Sequence, residues 1–325
     1  MSVGMICLAS EQGLGYLALD FYKNGIVDYV YIHEHSSRTN HREWYPRESV
    51  VSSIEELIEK SDVIFGIETF FNWKVIPQAR KKGKKTAIMV MYECTPHPLP
   101  YVPSLVLSPS LLDLDYYPDS TLVTVPVSAT PRLRTHARVF VHNAGNGGLG
   151  GRNGTKELLE ALQYVKSPIK LILRSQIPIK VPNDPRIDYR QGTFDNIWEE
   201  GDVFVFPEKF NGLSLPIQEA FASGMLVMSS DRHPFNKWLP TEPLIPVDNY
   251  RKERLAVEFP FAELSPIVIA HTIDSWYDKD ITKFSELGIA WGQQNSWTKL
   301  KEKYGELMLQ LSEGQDSSEA TSSTT

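Results

Sequence analysis

The feature that most constrains this chain is an alternation of strand-like and helix-like segments that runs, breaks and starts again. "VGMICLA" (3–9) has the continuous apolar character of a buried strand, "GYLALDFYKNG" (15–25) the pattern of a helix stopped by Gly25, and "VDYVYIH" (27–33) that of a second strand. "SSIEELIEKS" (52–61) carries a helix-start signature, with Ser52 or Ser53 ahead of acids in the first turn, and leads into the strand "DVIFGIE" (62–68). "VIPQARKKGKK" reads as a helix, "TAIMVMYE" (86–93) as a strand, and short strands are expected at "SLVLSP" and "TLVTVPV". Alternation of this kind implies a parallel sheet covered by helices on both faces.

"PVSATPRLRTHA" (126–137) interrupts the pattern with Pro, Thr and Arg and no apolar period, so the inter-domain linker is expected there. The alternation then resumes: strand "RVFVHN", helix "TKELLEALQYV", strand "IKLILRS", a Pro-broken loop, strand "DVFVFP", helix "PIQEAFASG" and strand "LVMSSD". A length of 325 residues suits two such units. The division expected is 1–132, 133–272, C-terminal helices over 273–311, and a disordered low-complexity tail, "SEGQDSSEATSSTT", from 312 to 325.

Composition narrows the class. The chain is 42% hydrophobic and 22% charged, without an apolar run long enough to span a bilayer. Its opening, "MSVGMICLAS", lacks a basic leader and reads as a first strand rather than a signal peptide, which points to a cytoplasmic protein. Cys7 and Cys94 have no metal-type spacing and cannot build a disulfide framework. A formal charge of −7 offers no global attraction to nucleic acid or an anionic membrane. "RKKGKK" (80–85) is most simply a solvated helix end.

Two loops carry the chemistry. "AGNGGLGGRNG" (144–154) places six glycines between a strand and a helix. Bare backbone N–H groups ahead of a helix form an anion site, because glycine lets the chain approach a phosphate and the helix dipole favours negative charge. The spacing is neither a P-loop nor a clean G-x-G-x-x-G. Arg152 and Lys156 would add charge-assisted contacts to a diphosphate, and Arg174, ending "LILRS", is a third candidate. The second loop lies in "GDVFVFPEKFNGLSLPIQEAFASGMLVMSSD" (201–231), where a strand ends at Pro207, "NGLSLP" turns the chain, and a helix carries Glu219.

That second stretch resembles the donor-binding segment of GT-B glycosyltransferases of family 4, the glycogen-synthase and sucrose-synthase type, whose pattern is approximately P-S-x-x-E-G-F-G-L-P-x-x-E-A-x-A-x-G-x-P-V. "GGRNGTKELLEAL" is similar to the same family's phosphate loop and helix, and "EQGLG" to its N-domain glycine loop, with Gly13 and Gly15. The match is strong over about 139–235 and topological before it. It implies an α/β GT-B fold with two Rossmann-like domains facing a cleft, and transfer of a sugar from a nucleotide diphosphate, a UDP-sugar first among them, with retention and without an essential metal. A non-catalytic nucleotide-sugar-binding protein and a GT-B epimerase share that fold. The acceptor is left open among glycan, lipid-linked sugar, protein and modified DNA base.

The resemblance also distributes roles. Gly147, Gly148, Gly150 and Gly151 would cradle the diphosphate; the backbone of Gly212, Leu213, Ser214 and Leu215 would meet the donor sugar and phosphate; Glu219 would bind the ribose hydroxyls. Asn211 stands where the family's E-x7-E pair has its first glutamate, so a hydrogen bond to the sugar would replace a charge there. The resemblance places the phosphate-binding role on Arg152 and Lys156, although the family often has its lysine just before the glycine of this loop, where this chain has Asn153. In the first half, His97 in "MYECTPHPLP" is the choice for a histidine near the sugar, with Glu93 second, and "HEHSSRTNHR" (33–42) could shape the acceptor side. No resident cofactor or metal ion is expected.

Overall fold

The computed structural model describes residues 1–34, 40–147, 149–255 and 257–314. It forms two compact units: Met1–Pro126 with Leu255–Val257 and the chain from Trp297 onward, and Val127–Arg254 with Glu258–Ser296.

Unit 1 is built from β1 (Val3–Cys7), α1 (Gly13–Lys23), β2 (Tyr29–Ile32), α2 (Ile54–Lys60), β3 (Val63–Ile67), α3 (Val75–Lys81), β4 (Lys85–Met89), β5 (Leu105–Ser108), α4 (Leu111–Tyr116) and β6 (Thr121–Leu122). All six strands are parallel, in the order β2-β1-β3-β4-β5-β6, with Met5 between Val30 and Phe65. β1 and β3 are buried along their whole length, which is why they read as unbroken apolar runs. α2 starts as its sequence predicts: Ser53 Oγ accepts the Glu56 N–H at 3.1 Å, and the Glu56 carboxylate accepts the Ser52 N–H at 2.8 Å. The strand expected over 121–127 joins the six-stranded sheet only at Thr121 and Leu122; it is a sheet edge, and Pro126 has no N–H to offer a ladder. In "RKKGKK", Lys82 pairs with Glu59 and Lys84 with Asp62.

Unit 2 comprises β7 (Val139–Gly145), α5 (Thr155–Ala161), β8 (Lys170–Ser175), β9 (Ile187–Gln191), β10 (Val203–Phe206), α6 (Leu215–Ala222), β11 (Leu226–Ser229), β12 (Asn249–Arg254), β13 (Glu258–Glu263), α7 (Pro266–Trp276) and α8 (Thr282–Gln294). Its five-stranded parallel sheet runs β11-β10-β7-β8-β9, and β12 and β13 form an antiparallel hairpin. β9 lies inside the segment expected as a Pro-broken loop. It is an edge strand whose Asp188 and Arg190 pair with each other, so it lacks the apolar run of a central strand. The β12–β13 hairpin also escaped the sequence pattern, since β12 is almost wholly exposed and charged.

The Arg134 guanidinium is buried in unit 2 and donates to the carbonyls of Trp198, Gly201, Arg132 and Ser223. Burial draws its pKa down to about 10. It ties the segment before β7 to the C-terminal end of α6. The last helix, α9 (Trp297–Glu313), belongs to unit 1, where Trp297 and Tyr304 meet the Phe21 ring edge-on, each at 5.1 Å between centroids. The tail expected from 312 begins inside this helix, and residues 315–325 lie outside the described residues.

Candidate functional site

In unit 2 the chain leaves β7 toward β8 and β9 on one side of the sheet and returns to β10 and β11 on the other. The adjacent strands β7 and β10 therefore flank a topological switch point, where open parallel sheets receive ligands at their carboxyl ends. The glycine loop follows β7 and the "NGLSLP" loop follows β10.

The two loops are tied together at their bases. The Lys209 N–H donates to the Arg152 carbonyl at 2.8 Å, and the Lys209 ammonium meets Glu157 at 2.6 Å. Gly154 has φ +68°, and a Cβ there would lie 2.1 Å from the Pro207 carbonyl oxygen, so this position demands glycine twice over. Asn153 serves the loop itself by donating from Nδ2 to the Ala144 carbonyl at 2.9 Å. His142, fully buried in β7, spans both elements: one ring nitrogen lies 2.8 Å from the Val205 carbonyl and the other 2.8 Å from the Thr155 hydroxyl. The carbonyl only accepts, so Nδ1 carries the proton and Nε2 accepts from Thr155. Burial pushes the His142 pKa down to about 4, which keeps the ring neutral.

Gly147, Gly150 and Gly151 all adopt positive φ in this loop, and Gly148 lies outside the described residues. Arg152 sits at the loop's end with its guanidinium 5.6 Å from the Phe210 ring centroid, so it bridges to the second loop. Just before the loop, at the end of β7, both amide atoms of Asn143 are buried without a hydrogen-bond partner among the described residues. Two basic candidates do not join this cluster. The Lys156 side chain is 81% exposed and pairs along α5 with Glu160. Arg174 is buried and donates to the Ile197 carbonyl at 2.8 Å, with Glu200 at 3.5 Å, so it anchors the segment after β9.

In the second loop, Asn211, Leu213 and Ser214 are buried. Asn211 Oδ1 accepts the N–H groups of Leu213 and Ser214, each at 3.1 Å, and Nδ2 donates to Glu208 Oε1 at 3.0 Å. Ser214, where the family pattern has glycine, is left-handed at φ 40°, and it leads directly into α6 with Leu215 and Pro216. On that helix Glu219 accepts the Trp198 indole N–H at 3.1 Å. Sequence reasoning overlooked Glu208, Arg232, His142 and Gly154. Glu208 occupies the pattern's serine position, which was the available signal.

In unit 1, Gly13 opens α1, and a Cβ on Gly15 would approach the Ser10 carbonyl oxygen at 2.0 Å. His97 is exposed and lies edge-on to Tyr117 at 5.2 Å between centroids, while the Tyr117 hydroxyl donates to the Thr95 carbonyl at 2.8 Å. Glu93 is buried. Within the stretch 33–42, residues 35–39 lie outside the described residues; His33 stacks on Phe71, and His41 on Trp44. Among the described residues no group of three or more His, Cys, Asp or Glu is placed to hold a metal ion, and no helix is long and apolar enough to cross a membrane.

No protein-family model matches the chain, and no curated protein matches it by sequence. Solved structures do match its fold. HepE of Anabaena, in complex with UDP-glucose, superposes with a TM-score of 0.68 at 12% identity, over 96% of this chain and 100% of that one. Sucrose-phosphate synthase from Thermosynechococcus elongatus gives 0.62 at 14% identity, over 97% and 100%. A glycosyltransferase from Rickettsia africae gives 0.62 at 11%, over 94% and 98%. With its two parallel α/β sheets and this end-to-end likeness, the chain has the GT-B fold of glycosyltransferases.

Proposed function

We propose that this chain is a glycosyltransferase that takes a sugar from a nucleotide diphosphate, a UDP-sugar, and passes it to an acceptor hydroxyl with retention and without a metal ion. The observation that carries the reading is the pairing of the glycine loop and the Asn211 loop at the switch point of unit 2, with Arg152 reaching between them and the unsatisfied Asn143 amide at their root. HepE, which shares the fold, was solved with UDP-glucose, and that supports the choice of donor.

In this reading the glycine backbone and Arg152 hold the diphosphate and stabilise the charge that develops on it as the glycosidic bond breaks. Glu219 accepts from the ribose hydroxyls beside Trp198. Asn211 offers the sugar the one amide N–H that Glu208 leaves it, since its oxygen already accepts two backbone donors. Lys156 and Arg174 act outside the phosphate site, as helix partner and loop anchor. The acceptor side, for a glycan, lipid-linked sugar, protein or modified DNA base, is assigned to unit 1, and His97 to the sugar. The engaged Asn211 amide also suits a second reading, a protein that binds nucleotide sugars without turning them over.

A thermal-shift screen with UDP-, GDP-, ADP- and TDP-sugars tests the proposal, because a ligand of the native state raises the melting point by mass action. A UDP-sugar should raise it and release or transfer its sugar. A shift without product favours the binding protein, and no shift with any nucleotide sugar overturns both readings.

A further inference from the structure

Directly beneath the Asn211 loop lies a buried ion pair. Glu208 follows β10, and Arg232 stands three residues beyond β11; both side chains are almost wholly excluded from solvent. Arg232 Nη2 donates to Glu208 Oε2 at 3.2 Å and to the Asn211 carbonyl at 3.0 Å. Its Nε donates to the Glu208 carbonyl at 3.2 Å, and Nη1 to the His233 carbonyl at 2.9 Å. Ser230 Oγ also donates to the Glu208 carbonyl. The other carboxylate oxygen, Oε1, accepts from the Asn211 amide, whose own oxygen caps Leu213 and Ser214.

This arrangement accounts for two departures from the family pattern at once. Where the pattern has serine, this chain has Glu208; where it has glutamate, this chain has Asn211. A glutamate at 211 would bring a second carboxylate against the first in a buried site, where two like charges cannot both stay ionised at low cost, and it would remove the N–H that Glu208 accepts. An amide at 211 is the group that satisfies a carboxylate below and two backbone N–H groups above.

We propose that Glu208 is the positioning residue of the donor loop: clamped by Arg232, it orients the Asn211 amide and so holds residues 211–214 in the shape that receives the donor sugar. The loop's carboxylate has moved from 211 to 208, and the amide at 211 is its consequence. The functional half of this inference rests on the donor reading above; the structural half does not.

The test is a double-mutant cycle of Glu208→Ser, Asn211→Glu and the pair together, followed by melting, with amide exchange and turnover measured on Glu208→Gln. The double variant should melt about 4 °C or more above the value expected from adding the two single effects, because Arg232 regains one partner and the carboxylate clash is gone. Additivity within about 1 °C overturns the proposal. In Glu208→Gln the amides of Leu213 and Ser214 should exchange about tenfold faster while those of Phe204 and Val205 in β10 hold, a split that general loss of core stability would not produce. Equal acceleration of both groups overturns the positioning role.

With a UDP-sugar, Glu208→Gln should lose about tenfold in kcat at a UDP affinity within twofold of wild type, and an unchanged kcat contradicts the functional half. Should wild type neither bind nor turn over any nucleotide sugar, the donor reading fails, while the melting cycle and the exchange pattern still decide the role of Glu208. If Glu208→Gln does not fold, the cycle carries the test.

Discussion

Both units place a switch point beside their first strand, between β1 and β3 in unit 1 and between β7 and β10 in unit 2, yet they line it with different materials. In unit 2 the lining is backbone: a glycine-rich turn with repeated positive φ, and a loop whose amides are organised by one asparagine. In unit 1 it is side chain. The turn after β3 puts Glu68 and Phe71 at positive φ, Phe71 stacks on His33, and Tyr16, Trp44 and His41 form a continuous aromatic stack. Bare backbone suits a phosphate, which needs many N–H groups at close range. Aromatic faces and carboxylates suit a polyhydroxylated partner. On the proposed function, the same architecture would divide two tasks, and the division would follow from what each loop exposes.

The largest expected effect comes from forcing a side chain between the two unit 2 loops. Gly154→Ala drives a Cβ into the Pro207 carbonyl at a left-handed position and should cost about 4 kcal/mol or more, measured by denaturant unfolding. Gly15→Ala in unit 1 meets Ser10 without the left-handed penalty and should cost less. A Gly154→Ala protein that stays folded and keeps wild-type UDP binding would contradict the donor role of the glycine loop.

Next is a pH response of opposite sign in the two units. In unit 1, burial pushes the Asp113 carboxyl up to about 6, against the Tyr92 N–H and Ser110 hydroxyl it accepts from. Its folded pKa lies above the unfolded one, so its contribution is present below about pH 4 and lost as pH rises through 6, a change of about 3 kcal/mol. In unit 2, His142 has its pKa lowered to about 4, so its contribution is present above about pH 6.5 and is lost as pH falls toward 4, again by about 3 kcal/mol. Melting curves should show Asp113→Asn gaining on wild type as pH rises from 4 to 7. The deficit of His142→Gln should shrink as pH falls across about the same range. Parallel curves would remove the contrast.

The smallest effect concerns the strained serine. Ser214→Gly relieves a left-handed conformation that Asn211 and Arg232 help to hold, and should raise stability by about 1 kcal/mol in calorimetry. A loss of stability would mean that the serine side chain holds the loop.

Much of this site was readable before the structure because its two loops are continuous stretches of sequence. Glycines ahead of a helix, and "NGLSLP" ahead of Glu219, declare backbone geometry locally. The parts that were not readable depend on partners far away in the chain. Glu208 meets Arg232 from the end of another strand, and His142 reaches Val205 across the sheet. Arg174 ends a strand next to the site, but only the fold shows it turned toward Ile197 and Glu200. The pairing of Lys156 with Glu160, four residues on along the same helix, is by contrast a local feature visible in the sequence. The edge strand β9 and the β12–β13 hairpin escaped because exposed, charged strands carry no apolar run.

The central claim is that the glycine loop and Arg152 recognise the diphosphate of the donor. Calorimetric titration of wild type and Arg152→Ala with UDP and with uridine tests it most directly. Wild type should bind UDP well above uridine, and Arg152→Ala should lose about tenfold to a hundredfold for UDP, the worth of a charge-assisted hydrogen bond, while its affinity for uridine stays within twofold. Equal affinity of wild type for UDP and uridine, or equal loss of both in Arg152→Ala, would contradict the account.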